Sequence, residues 1–281
     1  MYHYTMDLEI YDPIKNDKIH FNQYLDNTKK AIDYIFNKLN QNKIKITCFV
    51  TNEFVENFYD NFIKKIAQYH EISCHTAYHD FYNGTNEKQF FESIRKNKSY
   101  LEKVTGRGCY GFRAPGGVVP KNLVSYLLKL NFKYDSSVIP GLIPGRLSKF
   151  FSPKSSYFPN KNNIFKIGEN QSELIEFPLA VFPFFNFNVN GFFYPYLFIP
   201  FKSFFYNKEI TTYIHLNDFI DITGKKFFWD YFKLKKFNLT FFDEFIEKYK
   251  DSDMSLINKW CEGQYPSGHN SGNITENVHI R

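Results

Sequence analysis

Short apolar segments alternate with longer amphipathic segments through the first half of the chain. The short segments have the length and composition of buried strands, whereas in the long ones apolar residues recur every three or four positions, as at Ile32, Phe36 and Leu39. This alternation predicts parallel strands covered by helices. The predicted strands are residues 2–10, Ile44–Val50, Glu71–Cys74, Cys109–Arg113 and Phe132–Asp135, and the predicted helices are Asp26–Leu39, Glu53–Tyr69, Glu87–Val104 (closed by Gly106) and Lys121–Leu130.

The pattern loosens in the second half. Proline, glycine, asparagine and aromatic residues dominate from about 140 to 205, with one short strand candidate at Glu173–Leu179. A late strand, Glu209–Leu216, and a final helix, Leu239–Tyr249, follow. We expect a single domain over residues 1–261, an irregular aromatic-rich insert at about 140–205 that lies over a site, and a disordered tail over 262–281.

Several polar residues stand where the predicted strands end. Asp7 and Glu9 close the first strand, His75 follows the third, Arg113 ends the fourth, and His215 lies near the end of the late strand. An α/β barrel collects its active site from the ends of several strands in this way. An open doubly wound sheet shows the same alternation, but a dinucleotide-binding sheet carries GxGxxG after its first strand, and this chain has none there.

His75 and His79 are four residues apart. On a helix, this spacing would put both imidazoles on one face, close enough to share a metal ion. Two imidazoles suit Zn²⁺, Co²⁺ or Fe²⁺, and an oxygen donor would complete three protein ligands. Position 76 is Thr, where HExxH metalloproteases have a glutamate base, so the base has to come from another segment.

Asp7 and Glu9 are two residues apart on a strand, so their side chains point to the same face. One carboxylate can bind a cation while its neighbour takes a proton from water. Amide hydrolysis needs an activated water, a cation for the developing oxyanion and a proton for the leaving amine. The polar residues at the strand ends provide one candidate for each.

Five short motifs fall in the order and rough spacing of the polysaccharide deacetylases, the NodB-homology enzymes of carbohydrate esterase family 4. The chain resembles this family over roughly residues 4 to 245. It is similar to a cytoplasmic branch that has Asp-x-Glu as its first motif, and a Gly-aromatic-aromatic insert ending in Pro, as in that branch, is present at 191–200. The motifs are Asp7-x-Glu9, His75-x-x-x-His79, Arg113-x-Pro115-x-Gly117, Tyr134-Asp135-Ser136 and Ile214-His215-Leu216.

The resemblance implies a distorted (β/α)7 barrel and a divalent metal held by Glu9, His75 and His79, with zinc expected and cobalt or iron as alternatives. These three residues would form the metal triad. A second candidate for the oxygen ligand is Asp12, which lies beyond the first strand.

The resemblance also implies the catalytic roles. Asp7 would be the general base, Arg113 would hold it by a charge-assisted, bidentate contact, and His215 would protonate the leaving amine. Asp135 would orient His215 and keep it charged. The oxyanion would be stabilised by Tyr110 or by the backbone near Gly111 and Arg113.

Simpler explanations compete with several of these roles. His75 and His79 could form a solvated pair on a helix, His215 could be a buried histidine bonded to the backbone, and Asp135 could cap a turn before two serines. Arg113 could enter an ordinary Pro-Gly turn. The joint presence of the motifs favours a catalytic site.

Composition bounds the partners and the compartment. The net charge of +6 comes from scattered lysines without a basic block, so no nucleic-acid partner is expected. The apolar stretch 182–205 is interrupted by prolines and asparagines, so no transmembrane segment is expected. The first residues contain no signal-peptide pattern, which predicts a cytoplasmic protein. Its four cysteines have no CxxC spacing and are expected to be reduced thiols: Cys48, Cys74, Cys109 and Cys261.

The leading hypothesis is a metal-dependent hydrolase that removes an N-acetyl group from an amino sugar of a glycan or a cytoplasmic glycan precursor. A deformylase or a cyclic-amide hydrolase could use the same site. A barrel that binds glycan without turnover is the third possibility, although the complete set of base, ligands and acid argues against it. The oligomeric state does not follow from the sequence.

Overall fold

The computed structural model of the chain describes residues 2–10, 15, 20–58, 60–141, 151–168, 173–180, 210–219, 242–243, 246–247, 250 and 256–264. In chain order, the strands are β1 (Tyr2–Leu8), β2 (Thr47–Val50), β3 (Glu71–Cys74), β4 (Gly111–Phe112), β5 (Tyr134–Asp135), β6 (Pro159–Asn160), β7 (Asn163–Ile167), β8 (Ile175–Glu176) and β9 (Ile210–His215). The helices are α1 (Phe21–Gln41), α2 (Asn52–Phe58), α3 (Asp60–Ile66), α4 (Glu87–Thr105), α5 (Leu123–Lys129) and α6 (Ile257–Gln264), with short 3₁₀ turns at Pro115–Gly117 and Leu216–Phe219.

Seven strands form one parallel sheet in the order β8-β5-β4-β3-β2-β1-β9. The first strand, β1, is second from one end of this order and pairs with both β2 and the late strand β9. The sheet curls into a half-barrel covered by helices. The predicted distorted (β/α)7 barrel is therefore confirmed.

Alternating side chains on the strands divide into two environments. Tyr4, Met6 and Leu8 of β1 belong to the large apolar core that includes the buried faces of α1 and α4. The residues between them, such as Thr5 and Asp7, are also buried but polar, and they point to the opposite face, the inside of the curled sheet. The barrel interior is thus lined by polar groups at the level where the chemistry is expected.

The end of the barrel away from these groups is closed by packing. Gly111 has no Cβ, and a Cβ there would overlap the ring of Tyr134, which lies across the interior. The Tyr134 hydroxyl donates to the Glu71 carboxylate (2.7 Å), and that carboxylate also accepts the backbone N–H of Asn258 at the start of α6 (3.2 Å). The barrel floor is therefore a buried hydrogen-bond network under the last described helix.

Most predicted elements are present, with shifted ends. α4 ends as expected at Gly106, whose φ of 67° lets its N–H reach the Glu102 carbonyl. The predicted helix Glu53–Tyr69 is instead two helices, α2 and α3. Of the predicted helix Leu239–Tyr249, the described residues 242, 243, 246 and 247 are helical.

The region predicted as an irregular insert contains a two-stranded antiparallel sheet, β6–β7. This hairpin lies next to α5, because Ser125 donates to the carbonyl of Lys161 (3.0 Å) and Ile164 N–H donates to the carbonyl of Lys121 (3.2 Å). Residues 142–150, 169–172 and 181–205 of the predicted insert lie outside the described residues. So do residues 265–281 of the predicted tail, whereas its first residues belong to α6.

No described helix combines the length and the apolar composition needed to cross a bilayer.

Candidate active site

The carboxyl ends of four strands meet at one edge of the sheet. Asp7 lies opposite His215 in the β1–β9 pairing. His75 directly follows β3, and Arg113 directly follows β4, where the two strands pair. Because all these strands run parallel, their following residues emerge on the same side of the barrel.

Glu9, His75 and His79 present one ligand atom each to a common point. The Oε2 atom of Glu9 lies 3.1 Å from Nε2 of His75 and 2.6 Å from Nε2 of His79. All three ligand atoms lie within 4.8 Å of one another. The predicted triad is thus brought together within one site.

The tautomer of His75 is set by its neighbour. Its Nδ1 lies 2.8 Å from the carbonyl oxygen of Arg113, which can only accept, so Nδ1 carries the hydrogen. Nε2, the other ring nitrogen, faces the Glu9 carboxylate, and in the tautomer with its hydrogen on Nδ1 it offers a lone pair. A nitrogen lone pair and a carboxylate repel each other unless a cation or a proton lies between them. A hydrogen bond from Nδ1–H to a carbonyl is also usual for metal-binding histidines.

The donor set fits a divalent transition metal. Two imidazole nitrogens and one carboxylate oxygen form the His₂Glu set of several catalytic zinc sites. Burial alone would raise the pKa of Glu9, but hydrogen bonds to His75 and His79 and the charges of His79 and His215 hold this pKa well below its ordinary value. Glu9 is therefore an ionised carboxylate that could bind a cation.

The segment His75–Asp80, which follows β3, is a loop, so the two imidazoles converge without the shared helix face that their spacing would give on a helix. Thr76 has φ 62° and His79 has φ 57°, left-handed values that break any helix here. Side chains hold the loop in place. The Asp80 N–H donates to the Thr76 hydroxyl (2.8 Å), and the Ala77 N–H donates to the hydroxyl of Ser93 on α4 (2.8 Å).

A polar residue of α4 that belongs to none of the sequence motifs holds the backbone of His75. Asn97 of α4 is fully buried and accepts the backbone N–H of His75 (2.9 Å) while donating to the carbonyl of Val50 (3.0 Å). Its position was visible in the sequence as a polar residue on the apolar stripe of α4, between Ile94 and Leu101.

Arg113 holds Asp7 through one nitrogen. Its Nη1 donates to Oδ1 of Asp7 (2.6 Å), while Nη2 and Nε donate to the hydroxyl (2.9 Å) and carbonyl (3.1 Å) of Ser136. The expected bidentate contact with Asp7 is therefore shared between two partners. The guanidinium also lies 4.0 Å above the ring of Phe49, and the buried pair is fixed on three sides.

His215 faces both acids of the first strand. Its Nε2 lies 3.8 Å from Oδ2 of Asp7 and 4.0 Å from Oε1 of Glu9, beyond hydrogen-bonding distance. About a third of its side chain is exposed, in contrast to the buried Asp7. His215 thus stands at the mouth of the site, on the opposite side of Asp7 from Arg113.

Two other candidates lie elsewhere. Asp135 accepts hydrogen bonds from the backbone and hydroxyl of Ser137 and interacts with Glu176, so its predicted role in orienting His215 stays a prediction. Tyr110 is exposed at the other end of β4, its ring next to Gly108 and Lys98, and the N–H of Arg113 already bonds the carbonyl of Cys74. Asp12, the second candidate ligand, lies outside the described residues.

A protein-family model matches the part of the chain that contains His75, His79 and Arg113. Residues 18–134 match the family model described as polysaccharide deacetylase. Over this segment, the chain is similar to the polysaccharide deacetylase family. Over 99 residues, it is 31% identical to the peptidoglycan-N-acetylglucosamine deacetylase of Bacillus cereus, in an alignment that covers 35% of this chain and 36% of that protein. The match thus spans about a third of that curated relative.

Solved structures of the same fold extend the likeness to most of the chain. One is a Mycobacterium smegmatis protein described as a polysaccharide deacetylase (TM-score 0.62, 16% identity, 93% of this chain and 88% of that one). Another is an allantoinase, Puue (TM-score 0.62, 13% identity, 93% and 88%). At these identities the likeness shows the fold. The family resemblance is confirmed, whereas the cytoplasmic Asp-x-Glu branch stays a prediction.

Proposed function

We propose that this deacetylase-family chain is a metal-dependent hydrolase that removes the N-acetyl group from an amino sugar of a glycan or glycan precursor. One observation carries the proposal. The ligand atoms of Glu9, His75 and His79 converge beside a buried Asp7 that is held by Arg113 and faces His215. Glu9, Asp7 and His215 lie outside the residues matched by the family model, and the fold joins them to the histidines and Arg113 inside it.

Glu9, His75 and His79 would hold the ion, and zinc is the ion we propose, with cobalt or iron as alternatives. When bound, the ion would polarise the amide carbonyl and make a water molecule more acidic. The remaining steps belong to side chains of this chain.

Asp7 acts as the general base. Its Oδ1 is occupied by Arg113, which leaves Oδ2 to accept a proton from the attacking water. The pairing with Arg113 fixes the direction of this buried carboxylate. The hydroxide equivalent then adds to the acetyl carbon.

His215 acts as the general acid. It donates a proton to the amide nitrogen as the carbon–nitrogen bond breaks, so that the products are acetate and the free amino sugar. Its exposed ring can reach a sugar that lies across the mouth of the barrel, whereas Asp7 remains below it.

The test is acetate release by purified protein, stripped with a chelator and reloaded with Zn²⁺ or Co²⁺. The substrates are N-acetylglucosamine oligomers, peptidoglycan fragments, N-acetylated sugar nucleotides and lipid-linked sugars. Formylated amino sugars and cyclic amides in the same panel define the acyl preference. We expect metal-dependent acetate release that Asp7→Asn abolishes without loss of bound metal. An absence of release across the whole panel would refute the proposal. The predicted cytoplasmic location stays a prediction.

A further inference from the structure

Two buried carboxyl groups outside the reaction centre face each other across the sheet. Asp135 of β5 and Glu176 of β8 are register partners in the parallel ladder, and both are fully buried. Their neighbours Tyr134 and Phe177 pack together in the barrel interior, so the two acids point to the outer face of the sheet. Two carboxylates so close together cannot both remain ionised in such an environment.

The hydrogen bonds account for three of the four carboxyl oxygens. Oδ1 and Oδ2 of Asp135 accept from the hydroxyl (2.8 Å) and N–H (3.0 Å) of Ser137, and Oε1 of Glu176 accepts from the N–H of Val138 (2.9 Å). Oε2 of Glu176 is buried, and no donor among the described residues reaches it. An oxygen of this kind is satisfied when it carries the proton itself and donates it to the neighbouring acid.

The surroundings support a protonated Glu176. Burial, followed by the charge of Asp135 and the hydrogen bond with it, raises the pKa of Glu176 well above its ordinary value. Among the described residues, two other titratable or charged groups act on the pair: Tyr157, whose backbone forms a bridge to that of Glu176, and Arg113, which directly follows β4. Of these two groups, Arg113 carries a positive charge, and its guanidinium is already hydrogen-bonded to Asp7 and Ser136.

The acid pair supports the turn that aims Arg113. Ser136, which directly precedes the two residues that the acids hold, accepts hydrogen bonds from Nε and Nη2 of Arg113 and donates to the carbonyl of Phe177 (2.9 Å). The hydroxyl of Ser137, itself bonded to Asp135, accepts the N–H of Ala114 (2.8 Å). Hydrogen bonds therefore run from Asp135 through Ser137 to the backbone after Arg113, while the adjacent Ser136 holds the guanidinium.

We propose that Glu176 is a positioning residue: as a carboxylic acid it donates its proton to Asp135, and the pair fixes the Ser136–Val138 turn that aims Arg113 at Asp7. The effect on catalysis rests on the proposed function, since it acts through Asp7 as the base. Glu176 touches no reacting group, so its loss misplaces Arg113 and leaves the three metal ligands in position.

The proton on Glu176 also makes the free energy of unfolding depend on pH. Because the folded chain keeps this proton at pH values where the unfolded chain releases it, the stabilisation is complete below about pH 4.5, the ordinary glutamate value. It is lost progressively as the pH rises from there through the raised pKa of the folded state. Gln at position 176 keeps an N–H donor and an oxygen acceptor without titrating, so it removes this dependence.

The experiment compares Glu176→Gln, Glu176→Leu and the matched control Glu173→Gln, an exposed glutamate just before β8. We expect Glu176→Leu to lower kcat for acetate release about 10- to 100-fold, the usual effect of a small misplacement of a catalytic group, with metal affinity unchanged. Glu176→Gln and Glu173→Gln should stay close to wild type. A wild-type kcat in Glu176→Leu, or a Gln variant as impaired as Leu, would overturn the positioning role.

Urea unfolding between about pH 5 and pH 9 tests the proton itself, without any need for turnover. The stability of Glu176→Gln relative to wild type should increase steadily with pH, and Glu173→Gln should show no such trend. A constant difference would overturn the shared proton. Should wild-type protein release no acetate from any substrate, the proposed function fails, while these unfolding curves still decide whether Glu176 carries the proton.

Discussion

Substitutions of Glu9 and Asp7 should have different effects on zinc binding. Glu9 lies 3.1 and 2.6 Å from the imidazole nitrogens of His75 and His79, whereas Asp7 is engaged by Arg113. The ligand assignment therefore predicts that Glu9→Gln removes zinc binding and Asp7→Asn keeps it. Both changes replace one buried carboxylate by its amide, at positions two residues apart, which makes each the control for the other.

The size of the zinc-induced rise in Tm follows from the linkage between zinc binding and folding. A ligand present at 100 times its Kd stabilises the folded state by about 2.7 kcal/mol. A chain of 281 residues unfolds with an entropy of about 0.6 kcal/mol/K near its Tm, at about 2.1 cal/mol/K per residue. The expected rise in Tm is the ratio of these two values, about 4 to 5 °C.

The same arithmetic gives the result for each variant. A hundredfold loss of affinity in Glu9→Gln leaves the zinc concentration equal to the new Kd, so the stabilisation falls to about 0.4 kcal/mol and the shift to less than about 1 °C. Asp7→Asn should lose the contact with Arg113 and start from a lower Tm. Its zinc-induced rise should nevertheless remain about 4 to 5 °C.

The assay is a thermal melt of chelator-treated protein with and without Zn²⁺, repeated after addition of excess chelator to reverse the shift. His20→Asn serves as a control for the loss of a histidine outside the site, since His20 makes no side-chain cap bond at the start of α1. A normal shift in Glu9→Gln together with no shift in Asp7→Asn would show that the two acids have exchanged roles. Equal shifts in both variants would refute the triad.

Three further outcomes test the fold around the site. Arg113→Met leaves the buried carboxylate of Asp7 without its partner and should lower the free energy of unfolding by about 3–5 kcal/mol, measured in urea. Gly111→Ala places a methyl group in the ring of Tyr134 and should cost about 1–3 kcal/mol in the same measurement, whereas tolerance would contradict the packing of the barrel floor. Burial lowers the pKa of His70 from 6.5 to about 4, so the unfolded chain binds a proton first on acidification. Stability should thus be complete above about pH 6.5 and fall by about 3 kcal/mol as the pH drops through 4, and His70→Gln should lack this fall.

Much of the barrel could be predicted because local pattern and tertiary structure agree there. Strands such as β3 are short apolar segments between amphipathic helices. The apolar stripe of helix α4 and the glycine that caps it can both be recognised in the sequence. The strand-end rule then placed Asp7, His75 and Arg113 at one edge without any knowledge of strand order, because every parallel strand presents its carboxyl end to the same side.

The hairpin β6–β7 was missed because its signals are weak and local. Its strands contain two and five residues, and their pairing is irregular between Pro159 and Asn160. The turn itself is ordinary asparagine chemistry, with the Asn160 side chain accepting the N–H of Asn162 (2.9 Å). Such a turn predicts a reversal of the chain, but the partners that fix it, on α5, are distant in sequence.

The placement of His75 and His79 shows that two side chains four residues apart can be brought together without a helix. Helical spacing is one way to bring two imidazoles together, and the sequence offered no sign of the left-handed φ at Thr76 and His79. Those values persist only because surrounding groups, including Asn97 and Ser93, bond the loop backbone.

The same reasoning explains why Glu176 could not be recognised as more than a strand residue. A glutamate between Ile175 and Phe177 fits the alternation of a half-exposed strand, and only the register with Asp135 shows that its polar face is buried. Ligands and bases can be inferred from residue types near strand ends, because metal binding and proton transfer require particular functional groups. Residues that act by holding others are specified by contacts between strands, and these contacts become visible only when the sheet is assembled. If the Asp135–Glu176 pair governs the aim of Arg113, the precision of this site depends on the outer face of the sheet as much as on its interior.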